Sequence, residues 1–207
     1  GKATLRMLFP DSLQQEVLYD LYRGATRDGL TGVLNKTSFL RHLEEAHSSL
    51  SRVRGDPEAP DRRALRREDL HCVAMVDADH FKRVNDTLGH AAGDEVLREL
   101  ARRLEGNLRQ GDLVGRYGGE EFVLLLWGAG LPEASQVLER VRAAVAGQPF
   151  TVPTSEGPRE LMVTISLGVA PLNGHDSPKE AIQAADQALY RAKSQGRNRL
   201  EQCGHSG

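Results

Sequence analysis

The sequence predicts an α+β domain built on a central mixed β-sheet with helices packed around it. Three observations carry that prediction. Residues 71–77 (HCVAMVD) form a nearly continuous apolar run ending at a carboxylate, the pattern of a strand buried on both faces. Residues 113–117 and 121–127 are short strand-like stretches joined by Gly118-Gly119-Glu120, a link of hairpin length. That hairpin interrupts an alternation of helix and strand patterns, so a purely parallel, doubly wound sheet is excluded.

In chain order, residues 12–24 place Leu13, Val17, Leu18 and Leu21 at helical spacing, with Asp11 and Ser12 as N-cap oxygens and Gly24 as a stop. This short amphipathic helix reads as a connector, so residues 1–26 are assigned to it and 27–204 to one domain. A second helix spans 36–50, burying Phe39, Leu40, Leu43 and Leu50. Residues 51–67 are rich in Arg, Pro, Asp and Gly and read as a mobile, solvated loop insertion. Its Arg62, Arg63, Arg66 and Arg67 suit a solvated charged loop better than a phosphate site. After the buried strand, a helix over about 91–106 shows Val96, Leu97, Leu100 and Leu104 on one face. Beyond the hairpin come a helix over 131–147, strands near 150–152 and 161–170, a helix over about 177–194 and a short strand over 199–202.

The 207 residues suffice for a core without disulfides or structural metal. With 27 basic and 29 acidic residues and a net charge of -2, the chain is not built as a general nucleic-acid binder. A nucleotide site, needing only a few local cations, remains compatible. Cys72 and Cys203 are too few for a disulfide framework and too far apart for a zinc knuckle. No apolar run approaches the roughly 18 residues of a membrane span, and no secretory signal precedes the first charges. These features point to the cytosol, and the start at Gly1 reads as a piece of a longer protein.

Two constellations carry candidate chemistry. In Asp77-Ala78-Asp79-His80-Phe81, two carboxylates stand at the end of a buried strand, where they are costly unless paired. One reading makes an Asp the cap of the next short helix. The other makes it a ligand for a hard divalent cation, which takes carboxylate and carbonyl oxygens and leaves room for phosphate. The second constellation is Arg116-Tyr117-Gly118-Gly119-Glu120-Glu121-Phe122. Its glycines allow close approach of a phosphate to the backbone. Alternation sends Glu121 and Phe122 to opposite faces. If the hairpin lies beside the Asp77 strand, Glu120 and Asp77 come within reach of one cation.

Those residues resemble GGDEF domains, the diguanylate cyclases, in the GGEEF form of the signature, Gly118-Gly119-Glu120-Glu121-Phe122. Four further blocks are similar to the family in the same order. They are the opening Asp28-Gly29-Leu30-Thr31 through Lys36, the block from Val76 to Asp86, Gly89-His90-Ala91-Ala92-Gly93-Asp94, and the closing run from Ala188 to Asn198. Val33, Lys36 and Ala78 depart modestly from the usual pattern. The resemblance covers about Asp28 to Arg199 and implies a fold like that of nucleotide cyclases and polymerase palms.

It also implies a reaction, the condensation of two GTP to cyclic di-GMP with release of two pyrophosphates, in a homodimer whose subunits face one another. By resemblance, Mg²⁺ or Mn²⁺, two per active site, is held by Asp77, Glu120 and the carbonyl of Ala78. Glu120 is also the candidate acceptor of the 3′-hydroxyl proton, and residue types alone leave its two jobs open. Glu121 serves a second metal or shapes the site, and Lys82 steadies charge on the transferring phosphate. Asn85 and Asp94 read guanine with His90 nearby, Gly118 and Gly119 line the nucleotide, and Lys193 and Arg197 hold its terminal phosphates. Arg109 and Asp112, in an RxxD turn, imply an inhibitory site for the product, with Arg140 completing it. The family further implies a bacterial, cytoplasmic protein under an upstream sensory domain, with no nucleic-acid partner. The alternative is a catalytically silent receptor that binds cyclic di-GMP at the RxxD turn.

Overall fold

The computed structural model describes residues 21, 23–55 and 70–204. In chain order the elements are β1 (Leu34–Asn35), α1 (Lys36–Gly55), β2 (Cys72–Ala78), α2 (Phe81–Leu88), α3 (His90–Gly106), β3 (Leu113–Gly118) and β4 (Glu121–Leu126). There follow α4 (Leu131–Ala146), β5 (Phe150–Thr154), β6 (Gly157–Leu161), β7 (Ile165–Pro171), α5 (Pro178–Ser194) and β8 (Leu200–Gln202). Six strands make one sheet in the order β1-β3-β4-β2-β7-β8, and β5 and β6 pair as a separate hairpin. Central β2 runs antiparallel to both β4 and β7, while β1 with β3 and β7 with β8 are parallel. The sheet is mixed, as the interrupted alternation predicts.

Period-two alternation along β2 divides its side chains between two cores. Cys72, Ala74 and Val76 pack with Val96, Leu100 and Leu104 of α3 and with Leu138 and Val141 of α4. Val73 and Met75 face the other way, onto Phe39 and Leu43 of α1 and Ala185 and Leu189 of α5. The next residue in that second series is Asp77. Covering both faces explains why β2 reads as continuously apolar rather than alternating.

Several boundaries differ from the sequence reading. The connector helix over 12–24 falls mostly outside the described residues, and helix continues through 23–26 rather than stopping at Gly24. The second helix does not end at 50 but runs to Gly55. Nothing in 51–54 breaks a helix, whereas Gly55 and Pro57 do. Most of the predicted loop, 56–67, and its arginines lie outside the described residues, as does the side chain of Leu50. The apolar run over 161–170 is two strands, since the chain leaves β6 at Leu161 and enters the main sheet at Ile165. β1, two residues long, has no periodic signal to betray it. Among the described residues no helix is long and apolar enough to cross a membrane.

Candidate active site

The C-terminal end of β2 meets the β3–β4 turn in a fixed register. Asp77 stands directly opposite Glu121, and Val76 opposite Phe122. The Ala78 N–H donates to the Glu120 carbonyl at 3.4 Å, which ties the turn to the strand end. Phe122 enters the α3-side core, so alternation leaves Glu121 on the same face as Asp77. That face is covered by α5, whose Lys193 ammonium lies 2.7 Å from Asp77 Oδ2.

The charges here strain against burial. Asp77 is only 7% exposed. Desolvation pushes its carboxyl above the ordinary value, with Glu120 and Asp79 adding repulsion and Lys193 opposing it. Glu121 is raised in the same way, first by desolvation and then by Asp77, with Asp186 and Glu120 contributing. A divalent cation would relieve this repulsion. The donors on offer, two carboxylates at Asp77 and Glu120 and the carbonyl of Ala78, are hard oxygens of the kind magnesium takes. Among the described residues no three acidic, His or Cys side chains converge as a metal cage. Magnesium rarely has one, being held by one or two carboxylates plus the phosphates of a substrate.

Neither Asp of the Asp77–Phe81 segment caps a helix. The N-cap of α2 is His80, in a left-handed conformation with no side-chain cap bond. Asp79, 5% exposed, instead accepts hydrogen bonds from Thr164 Oγ1 and Ser166 Oγ, each at 2.7 Å, and from the Asn198 N–H at 3.0 Å. Two carboxylates two residues apart thus have opposite fates, one turned toward the turn and α5 and the other bonded into the fold.

Arg116 holds the hairpin turn. Its guanidinium donates to the Gly119 carbonyl at 2.8 and 3.0 Å and to Asp28 Oδ1 at 3.1 Å. Burial would push Asp28 up, yet bonds from Thr31 and Arg116 hold its carboxyl below the ordinary value. The turn needs its glycine at 119, where φ is +53°. Lys36 lies 3.8 Å from the centre of the Tyr117 ring, a cation–π contact beside the same turn. The sequence reading did not single out Arg116, Asp28 or Asp79 as site supports. The Arg116–Asp28 pair and the contacts of Asp79 span 80 or more residues, beyond any local signal.

The remaining predicted residues fall into groups. Lys82 is exposed on the first turn of α2, and His90 is exposed at the start of α3. Asn85 on α2 and Gly93 on α3, the residue before Asp94, are brought together. A Cβ placed on Gly93 would lie within bonding distance of Asn85 Oδ1 and 3.2 Å from Phe81 Cζ. Arg197 is exposed beyond α5, in a loop where Gly196, Arg197 and Asn198 have φ of +116°, +62° and +46°. Lys193 is paired with Asp77.

Arg109 and Asp112 form the expected turn, before β3 and apart from the Asp77 end. Arg109 Nε lies 3.4 Å from Asp112 Oδ1, with the arginine 57% exposed and the aspartate 2%. The same Asp112 oxygen accepts from the Trp127 N–H at 3.1 Å. Arg140 donates to the Asn107 carbonyl at 3.0 Å, on the loop that carries Arg109. Asp112 also lines a cleft of about 270 Å³ with Thr26, Arg27, His42 and Glu105.

Comparison with known proteins bears on these groups. The family described as "Diguanylate cyclase, GGDEF domain" matches residues 25–199. The chain is 40% identical over 184 residues to the diguanylate cyclase DgcP of Pseudomonas aeruginosa, covering 89% of this chain and 25% of that protein. It is 39% identical over 194 residues to the response regulator PleD of Caulobacter vibrioides, covering 93% of this chain and 39% of the relative. The chain therefore spans well under half the length of either. The crystal structure of the coiled coil and GGDEF domain of DgcB from Caulobacter crescentus, in complex with c-di-GMP, superposes with a TM-score of 0.76. Sequence identity to it is 29%, and the match covers 91% of each chain.

Proposed function

The chain belongs to the GGDEF domain family, and from that premise we propose that it condenses two GTP into cyclic di-GMP, releasing two pyrophosphates. One observation supports this above the others. A buried strand-end carboxylate, Asp77, stands in register against the glutamate-bearing turn, with Ala78 bonded to Glu120. In each of two steps a ribose 3′-oxygen bonds to the α-phosphorus of the other GTP, the bond to the pyrophosphate oxygen breaks, and the 3′-hydroxyl proton leaves.

Asp77, Glu120 and the Ala78 carbonyl would hold Mg²⁺ or Mn²⁺, two per site. Bound there, such ions neutralise phosphate charge and make the 3′-hydroxyl a better nucleophile. Glu120, at the tip of the turn, takes the hydroxyl proton, while Glu121 sits beside Asp77 and shapes the same acidic edge. Lys82 steadies charge on the phosphoryl group in transfer. Asn85 and Asp94 accept and donate along the guanine edge. The Asp94 carboxylate suits the paired donors at guanine N1 and its exocyclic amine, which adenine lacks. His90 lies alongside, and Gly118 and Gly119 allow the backbone to approach the nucleotide. Arg197 and Lys193 grip the terminal phosphates. Because each domain holds one GTP, two copies must face each other, so catalysis belongs to a homodimer.

The Arg109–Asp112 turn, with Arg140, is proposed as the place where product binds and slows the enzyme. An upstream sensory segment and a bacterial cytoplasmic setting complete the reading. It is tested by incubating the protein with GTP and Mg²⁺ and resolving the dinucleotide product. Glu120→Gln removes a charge while keeping shape, and product formation is expected to drop by about 10²–10⁴. A wild-type protein that binds cyclic di-GMP but makes none would instead be a receptor. A Glu120→Gln variant of unchanged turnover would remove Glu120 from the mechanism.

A further inference from the structure

We infer that Asp79, Asn198 and Arg142 are positioning residues that lock the Arg197 loop to the cation-binding end of β2. The inference rests on the proposed role of Arg197 at the terminal phosphates, and concerns what holds Arg197 in place rather than that role itself.

Three consecutive residues after α5, Gly196, Arg197 and Asn198, have positive φ. Glycine adopts that region freely, but two non-glycine residues in succession persist there only when their surroundings over-determine them. The surroundings do so from three directions. The Arg197 N–H donates to the Ala192 carbonyl at 3.0 Å, closing the helix end. The Asn198 N–H donates to Asp79 Oδ2 at 3.0 Å. Arg142, from the middle of α4 and 56 residues away in sequence, donates from Nη1 to Asn198 Oδ1 at 2.8 Å. Beyond the loop, the Leu167 N–H donates to the Arg199 carbonyl at 2.9 Å, so the exit is tied to β7 as well.

Asp79 makes this more than a structural tether. It lies two residues after Asp77 and next to Ala78, so one short segment supplies the cation ligands and the anchor for the phosphate cation. Its other contacts are Thr164 Oγ1, just before β7, and Ser166 Oγ, on β7 itself beside β2. The carboxylate therefore accepts from three donors on two separate segments, and leaves Asn198 little freedom relative to Asp77. Arg142 holds the outer side of the loop, and is itself oriented by Glu139 at 2.8 Å. The arrangement sets the span between the Asp77 end and Arg197, a span that a triphosphate must bridge with its charge neutralised at both ends.

The test compares two ligands by calorimetry in the presence of Mg²⁺. One is 3′-deoxy-GTP, which has the triphosphate but no nucleophile, and the other is GMP, which lacks the terminal phosphates. Arg142→Gln removes the ionic donor from a surface side chain, and Asn198→Gly removes its acceptor while keeping a backbone at ease with positive φ. Each is expected to weaken 3′-deoxy-GTP roughly tenfold and to leave GMP unchanged, and the double variant is expected to fall no further than either alone. Arg197→Ala serves as reference, with a loss of tenfold or more confined to the triphosphate. If Arg197→Ala behaves so while Arg142→Gln and Asn198→Gly bind 3′-deoxy-GTP like wild type, the lock is overturned and the phosphate role stands. Equal losses for both ligands in the two lock variants would mark general loosening and overturn it too. If Arg197→Ala itself has no effect, the underlying reading fails and the lock with it.

Discussion

At the residue scale, Asp77 and Glu121 are like charges directly opposed on neighbouring strands, an arrangement sheets ordinarily avoid. Lys193 compensates Asp77 at 2.7 Å, leaving Glu121 as the less relieved of the two. Because desolvation and then Asp77 raise the Glu121 carboxyl, the folded protein binds that proton more tightly than the unfolded chain does. The resulting stabilisation is complete below the ordinary value of 4.5 and is lost as pH rises through the raised one. Glu121→Gln should therefore be more stable than wild type at neutral pH, by about 0.2–1 kcal/mol, or roughly 0.5–4 °C in melting temperature. The difference should shrink as the buffer is taken below pH 4.5. Melting curves of the two proteins across pH check this, and a difference that grows toward acid would reverse the assignment. Asp28 has the opposite sign. The bonds from Thr31 and Arg116 depress it, so its contribution is present above the ordinary carboxylate value and fades as pH falls.

At the element scale, the pair proposed to read guanine depends on how closely α2 approaches α3. Gly93 is the fourth residue of α3, in its first turn, where glycine costs at most about 1 kcal/mol relative to alanine. The space it leaves is filled by the Asn85 amide and the Phe81 ring edge. The Asn85 amide is the end of a partly exposed side chain that can swing aside, and the buried Phe81 ring need give only a few tenths of an ångström, so Gly93→Ala should leave the melting temperature little changed. The displaced Asn85 should at the same time cost about tenfold in the preference for GTP over ATP, read from competition between the two nucleotides. Loss of fold with no change of preference would mean that Gly93 serves packing alone. Gly168 makes the contrast clear. A Cβ there would lie 2.1 Å from the Ala185 carbonyl oxygen and the Leu189 nitrogen, backbone atoms of α5 that cannot swing aside. That close seating of α5 on β7 is what brings Lys193 down to Asp77.

At the scale of the whole molecule, the proposed reaction, needing two GTP-bearing domains, would be governed by encounter between copies. With a net charge of only -2, two copies meet without strong repulsion or steering. In dilute solution the initial rate should rise about fourfold for each doubling of protein, falling to twofold as dimer saturates. Initial rates over a protein dilution series measure this, and strict proportionality down to nanomolar protein would show that weak pairing does not limit the rate. The cleft beside Asp112 includes Thr26 and Arg27, at the point where the preceding helix enters the domain.

Much of this protein was legible before its structure. The apolar run ending at Asp77, the glycine pair before Glu120 and the periodic faces of α3 and α5 are local signals, set by the period-two and 3.6-residue repeats and by backbone freedom at glycine. They specified the mixed sheet and nearly every element, and the motif spacing named the carboxylates. What stayed hidden depends on contacts between distant segments. The partition of Asp77 and Asp79 into a candidate site carboxylate and one bonded into the fold turns on Lys193, Thr164, Ser166 and Asn198, 85 to 119 residues along the chain. The break at Met162–Thr164 has the same cause, since an apolar run cannot reveal where a chain changes sheets. Residue identity determined which groups were available for chemistry. Only packing, which desolvates some carboxylates and gives others hydrogen-bond donors, decided which of them remained to do it.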